Sequence, residues 1–144
     1  MNVDAILRDK GNAVVTIAPN ATIAEAVEVL RKRSIGALVV SADGATPEGI
    51  LSERDVVRGL AREGVRLLER RVEEVMTRAV VTCGRHDSLA DLMALMTERR
   101  IRHLPVMHNG RLAGLVSIGD VVKNRLDEIE SEAQSLKTYI AGAA

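Results

Sequence analysis

Two short segments carry residue types that could grip a ligand. Gly49-Ile50-Leu51-Ser52 is followed by Asp55, and Gly114-Leu115-Val116-Ser117 by Asp120. A serine at a helix start with an acid three residues later is a good N-cap, worth about 1 kcal/mol. The same pair can also hold a sugar phosphate. A helix N-terminus presents unpaired backbone N–H groups and a partial positive charge, both of which attract phosphate. The serine hydroxyl adds a donor, and the carboxylate accepts from both hydroxyls of a ribose. Recurrence of the pattern, each time after glycine and two aliphatic residues, favours this use of Ser52, Asp55, Ser117 and Asp120. The reading fails if both carboxylates turn inward to their own main chain and side chains fill the space beside them.

Other reactive types are sparse. Cys83 is the only cysteine, which excludes an internal disulfide and a cysteine-built metal site. As a nucleophile it would need a base, and His86 beside Asp87 is the only local candidate; the segment reads instead as a turn before a helix, with a plain buried or half-buried thiol. His103 and His108 lack partner acids at ligand spacing, so no metal is expected. The 20 basic and 20 acidic residues cancel, leaving no field that could gather nucleic acid or an anionic membrane. With 47% hydrophobic and 28% charged residues, the 144-residue chain has the composition of a soluble globular domain. Residues 1–10 include Asp4 and Asp9 and lack the apolar run of a signal or transmembrane segment, so a cytoplasmic location is expected.

The elements that must position these residues occur twice. Thr16-Ile17 aligns with Thr82-Cys83, 66 residues later, and the same offset takes Leu30 to Met96, Ile35 to Ile101, Leu38 to Leu104 and Gly44 to Gly110. After that glycine the offset falls to 65, pairing Gly49, Ser52 and Asp55 with Gly114, Ser117 and Asp120. Each copy begins with a β-branched segment, at 13–17 or 79–82, that reads as a strand. A helix follows, opened by Thr22 with Glu25 or by Ser88 with Asp91 at capping-box spacing. Then come two apolar runs, 37–40 with 49–51 and 103–107 with 112–117, with Asn109-Gly110 as a hairpin turn. A second helix opens at Ser52 or Ser117. The unit is β-α-β-β-α, twice, and two such small units should pack sheet against sheet to bury enough surface. Residues 63–72 read as a short polar connection. After the second copy, Leu126, Ile129, Ala133, Leu136 and Ile140 form a narrow apolar stripe on an amphipathic helix.

Together the repeat, the segments 49–57 and 114–121, and Arg100-Ile101-Arg102-His103-Leu104-Pro105-Val106 resemble tandem CBS domains, over roughly residues 3–123. The resemblance implies an α/β (α+β) fold of two repeats, 1–66 and 67–125, related by pseudo-two-fold symmetry with their sheets packed together, and a C-terminal helix at 126–144. It implies one site built from Thr16, Ile35, Gly36, Ala37, Ser52, Arg54 and Asp55, and another from Val80, Thr82, Arg102, His103, Pro105, Ser117 and Asp120, with Arg102 and His103 as phosphate contacts. Gly36-Ala37 stands where Arg102-His103 stands in the second copy, and Arg54 aligns with Gly119. The two sites should therefore differ, the second taking AMP, ADP or ATP and the first binding more weakly, or preferring NAD or S-adenosylmethionine. With no Phe or Trp, the adenine slot must be walled by aliphatic side chains.

The function implied is a regulatory nucleotide-binding module that does no chemistry, has no catalytic cofactor, forms a homodimer and signals to a regulated partner protein. The alternatives are an enzyme acting on nucleotides, for which only Asp55, Asp120 and His103 are available, and a structural dimer with empty clefts.

Overall fold

The computed structural model describes residues 1–143. Its elements in order are α1 (Val3–Lys10), β1 (Thr16–Ile17), α2 (Ile23–Arg33), β2 (Ala37–Val40), β3 (Gly49–Ser52), α3 (Glu53–Glu63), a 3-10 segment (Gly64–Glu69), α4 (Val72–Val75), β4 (Cys83–Gly84), α5 (Leu89–Arg99), β5 (His103–His108), β6 (Arg111–Ser117) and α6 (Ile118–Ala143). Two three-stranded sheets result, ordered β1-β2-β3 and β4-β5-β6, each with a parallel first pair and an antiparallel second pair. The register repeats as well: Ile17 lies opposite Val40, and Cys83 opposite Val106. The expected α/β architecture of two equivalent repeats is present.

Local chemistry explains the boundaries. Thr22 and Ser88 accept from the backbone N–H of Glu25 and Asp91, at 3.2 and 3.1 Å. Ser34 and Arg100, equivalent in the repeat, close α2 and α5 in left-handed conformation at φ 52° and 54°. Asn109 and Gly110 both have positive φ, as a tight hairpin turn requires. Three expectations differ. The second copy's first strand falls at Cys83–Gly84, so residues 79–82 are free to cross between the halves. Residues 63–72 are structured, with Leu67 and Val72 fully buried. The stripe 126–140 lies on α6 without a break, because nothing in the sequence stops the helix that Ser117 starts.

Each half completes its core with the segment that leads into the other half. Val3, Ile6 and Leu7 of α1 pack with Leu89, Leu92, Met96, Leu104, Val106 and Val116. Leu67, Val72 and Met76 pack with Ile23, Leu30, Leu38, Val40 and Leu51. The backbone repeats this exchange: Asn2 bridges Ser88, and Arg71 bridges Thr22. Val3 N donates to Asp87 O at 3.0 Å, and Val72 N to Ala21 O at 2.8 Å. This close approach explains the repeated glycine before each Ser-x-x-Asp. A Cβ on Gly49 would lie 2.5 Å from Met76 Sδ, and one on Gly114 would lie 2.7 Å from Leu7 Cδ2.

Leu7→Ala should therefore destabilise the distant second half, by about 2–5 kcal/mol. Denaturant unfolding measures the loss. The labelling rate of Cys83, buried in the same core, reports the opening of that half. An unchanged midpoint with unchanged thiol protection would mean that α1 is a dispensable tail.

Candidate functional site

The cleft that matters lies between the halves. A cavity of about 330 Å³ is lined by Gly36, Ile50, Ser52, Glu53, Arg54, Asp55 and Arg58 from the first half, by Thr77, Ala79, Val80 and Val81 from the crossing segment, and by Arg100, Ile101, Arg102 and His103 from the second. Its parts are set by main-chain pairing. Ile50 and Thr77 exchange hydrogen bonds, N to O, at 3.0 and 2.9 Å, which brings the crossing segment against β3. Glu53 N donates to Gly36 O at 3.0 Å, fixing the start of α3 against the approach to β2.

Asp55 closes the first turn of α3. Its Oδ2 accepts from Ser52 N at 2.9 Å and from Ser52 Oγ at 3.1 Å, while Asp55 N donates to Ser52 Oγ at 3.3 Å. The other oxygen, Oδ1, accepts from Thr77 Oγ1 at 3.3 Å. At the equivalent place, Ser117 N donates to Asp120 Oδ2 at 2.9 Å, and Asp120 N to Ser117 Oγ at 3.1 Å. Both carboxylates thus cap their own helices, so the simple capping use of Ser-x-x-Asp is present in each half. The space beside them differs. Beside Asp55 it is open. Beside Asp120 stands Lys10, whose Nζ donates to Asp120 Oδ2 at 2.5 Å and to Leu115 O at 3.0 Å. One ammonium group there supplies the two donations that Thr77 makes in the first half, from its backbone N–H to Ile50 O and from its hydroxyl to Asp55. Burial works against the charge on Asp120, but the bonds from Lys10 and Ser117 prevail and its carboxyl lies below the usual range.

His103 sits between these environments. A Cβ on Gly36 would lie 3.1 Å from Glu53 Oε1 and 3.4 Å from His103 Nε2, so only glycine leaves the gap between them open. Burial, helped by Lys10 and Arg102, pushes the imidazole below its ordinary value of 6.5, against the opposing pull of Glu53 and Asp120. It is neutral at neutral pH, able to donate from one nitrogen and accept at the other. The fixed charges lining the cleft are Arg54, Arg58, Arg100 and Arg102 against Glu53 and Asp55.

The grouping of the expected residues follows space rather than sequence. Gly36, Ser52, Arg54, Asp55, Val80, Arg102 and His103 share the one cleft, although they were assigned to two sites. Thr16 pairs with Val39 inside the first sheet, Ile35 packs on the first core, and Ala37 and Pro105 are buried in strands. Thr82 is exposed and does not line the cavity, and Ser117 and Asp120 lie outside it, with Lys10 bonded to Asp120. Arg58, one turn beyond Arg54, and Arg100, two residues before Arg102, were legible as neighbours of expected residues. Thr77 and Lys10 were not, because chain crossing delivers them. Cys83 is buried, and burial together with the charge of Asp87 pushes its thiol up to about 12, which removes it as a nucleophile. Among the described residues there is no cluster of His, Cys, Asp and Glu suited to a metal ion, and no helix long and apolar enough to cross a membrane.

Known proteins share this fold. A CBS-domain containing protein of Agrobacterium tumefaciens superposes with a TM-score of 0.84 at 46% identity, covering 87% of this chain and 99% of that one. The CBS domain pair of protein MJ0100, in a structure with 5′-methylthioadenosine and S-adenosyl-L-methionine, superposes at 0.77 with 25% identity over 89% of this chain and 98% of that one. In sequence, the CBS domain-containing protein YhcV of Bacillus subtilis is 33% identical over 85% of this chain and 86% of its own length. The mitochondrial CBS domain-containing protein CBSX3 of Arabidopsis thaliana is 36% identical over 84% of this chain, which spans 61% of that relative's length. The CBS domain family model matches residues 9–62 and again 72–127. With two matched repeats, two equivalent sheets and crossed leading segments, the chain belongs to the CBS domain family as a tandem pair.

Proposed function

We propose that the chain is a regulatory module that binds one adenine nucleotide, AMP, ADP or ATP, in the cleft between its halves and passes occupancy to a partner protein. The observation that carries this reading is the composition of the cleft. Ile50, Val80, Val81 and Ile101 offer an aliphatic slot for a flat base, while Arg54, Arg58, Arg100 and Arg102 converge at the same cavity with only Glu53 and Asp55 opposing them. Guanidinium groups fit phosphate oxygens in pairs, and four of them favour a phosphate tail over the cationic sulfonium of S-adenosylmethionine. Asp55 is oriented by Ser52 and Thr77 and retains lone pairs for ribose hydroxyls. The relative crystallised with adenosine-type ligands supports the nucleoside part. Cytoplasmic location and a homodimer belong to the same reading, in which the ligand alters how the halves or subunits pack.

Titration calorimetry with AMP, ADP, ATP, NAD and S-adenosylmethionine tests it. One site per chain is expected, tighter for the phosphorylated ligands, and a ligand at 100 times its dissociation constant should add about 2.7 kcal/mol of stability. Silence across the panel would leave a structural pair with empty clefts, and conversion of ATP or NAD to new products would make the chain an enzyme. Two variants sharpen the result. Gly36→Val should keep the fold but weaken nucleotide binding by at least about tenfold, about 1.4 kcal/mol, because the side chain enters the space between Glu53 and His103.

His103→Gln addresses pH. Because the folded state holds this histidine below its ordinary value, the unfolded chain takes up the proton first. Its contribution to stability is therefore present above 6.5 and is lost as pH falls through the lower folded value. Melting temperatures between pH 7.5 and 5 should fall less in the variant than in the parent. Equal falls would show that the ring is not held neutral.

A further inference from the structure

His103 is the one group lining the cleft whose type changes charge near neutral pH, since the other ionisable residues there are four arginines, Glu53 and Asp55. Main chain fixes its place. His103 opens β5 opposite Ser117, and the preceding Arg102 O accepts from Ile118 N at 2.8 Å, so the start of α6 holds the backbone that carries the ring. At the equivalent position the first half has Ala37, buried and without a titratable group. The remaining histidines, His86 and His108, are exposed and lie outside the cavity.

The charges that act on the ring come from four different elements. Lys10 stands at the end of α1, Glu53 at the start of α3, Asp120 in the first turn of α6, and Arg102 just before β5. Lys10 and Asp120 are bonded to each other, so each offsets the other's effect at the imidazole. What remains is Arg102 against Glu53, which stands beside the gap that Gly36 keeps open, and with burial added the ring is neutral. Among the described residues, the guanidinium groups of Arg54, Arg58, Arg100 and Arg102 have no salt bridge. The cleft thus holds unpaired positive charge that draws an anion to the same cavity as the ring.

An arriving phosphate reverses this balance. An opposite charge within about 4–6 Å favours the charged form of a titratable group by about 1–3 pKa units. The ring nitrogen that carries no proton in the free protein then takes one from the solvent, and the imidazolium donates to a phosphate oxygen. When the phosphate leaves, the proton returns to the solvent. We propose that phosphate entry and proton uptake at His103 are one coupled event, so that the cleft responds to its nucleotide and to the acidity of the medium together. This rests on the nucleotide reading of the cleft and adds its regulation. Because the bound form holds more protons than the free form, affinity is greatest at low pH. It weakens as pH rises through the interval between the free and the bound value of the ring.

Proton NMR of the full chain, titrated against pH with and without AMP, tests it. The C2 protons of the three histidines give one signal each, and His103→Gln assigns the signal that matters by removing it. His86→Gln and His108→Gln, at exposed positions, assign the other two and identify His103 by elimination if His103→Gln does not fold. Saturating AMP should move the His103 titration upward by about one pH unit or more and leave the other two in place. Calorimetry at pH 7 in two buffers of different ionisation enthalpy should show net proton uptake by the parent and none by His103→Gln. The dissociation constant for AMP should rise about tenfold from pH 6.5 to pH 8 in the parent and stay level in the variant. AMP binding with an unmoved His103 signal and no proton uptake overturns the coupling and leaves the nucleotide reading standing. Tighter binding at the higher pH also overturns it, and would mean that protonated His103 turns to Glu53 and closes the gap. Absence of binding by every nucleotide would remove both.

Discussion

The structure depends on a reciprocal exchange of apolar segments. Neither half closes its own core: α1 fills the second with Val3, Ile6 and Leu7, and the stretch before β4 fills the first with Leu67, Val72 and Met76. A half of this size buries too little area to be stable by itself, and borrowing a leading segment is how each one reaches a sufficient core. The halves are thereby held in one relative position by buried side chains and by paired main chain at Asn2 with Ser88 and at Arg71 with Thr22. The cleft follows from that positioning. The crossing segment must run from α4 to β4 along the edge of β3, and in doing so it lays Thr77 beside Ile50 and carries Ala79, Val80 and Val81 across the gap.

The same exchange makes the two pseudo-equivalent places unlike. Where the crossing segment brings Thr77, a short side chain satisfies one oxygen of Asp55 and leaves room beside it. Where the end of α1 brings Lys10, a long cationic side chain reaches Asp120 and Leu115 O together. The basic pair Arg102-His103 faces the open place because Gly36, its counterpart in the first half, has no side chain to block the approach. Symmetry in the backbone with asymmetry in a few side chains is enough to make the two places chemically different, the cleft beside Asp55 having a net positive lining.

Much of the fold was legible in the sequence for identifiable reasons. The offset between the copies, the capping residues Thr22, Ser52 and Ser88, and Asn109-Gly110 all act over a few residues, and they mark element boundaries that the structure retains. The repeated glycine was visible at positions 49 and 114, but its purpose was not, since Met76 and Leu7 approach it from far along the chain. The polar reading of residues 63–72 missed Leu67 and Val72 because the four apolar residues there, Val65, Leu67, Leu68 and Val72, follow neither a helical nor a strand period among the arginines and glutamates. The division into one site per repeat follows nearness in sequence, whereas the cavity between the halves draws its lining from both repeats.

By itself, the amino-acid sequence determined a duplicated β-α-β-β-α unit, the helix starts at Ser52 and Ser117, the basic pair at Arg102-His103 and the narrow apolar stripe on the last helix. Each of these is written in local spacing, where a few neighbouring residues decide the conformation. Only the tertiary structure decided that Ser52 and Asp55 face Arg102 and His103 across one cleft, and that Lys10 reaches Asp120. That choice lies in how the two halves exchange their leading segments, and the exchange is driven by buried area summed over contacts up to about a hundred residues apart, a quantity that short-range pattern does not encode.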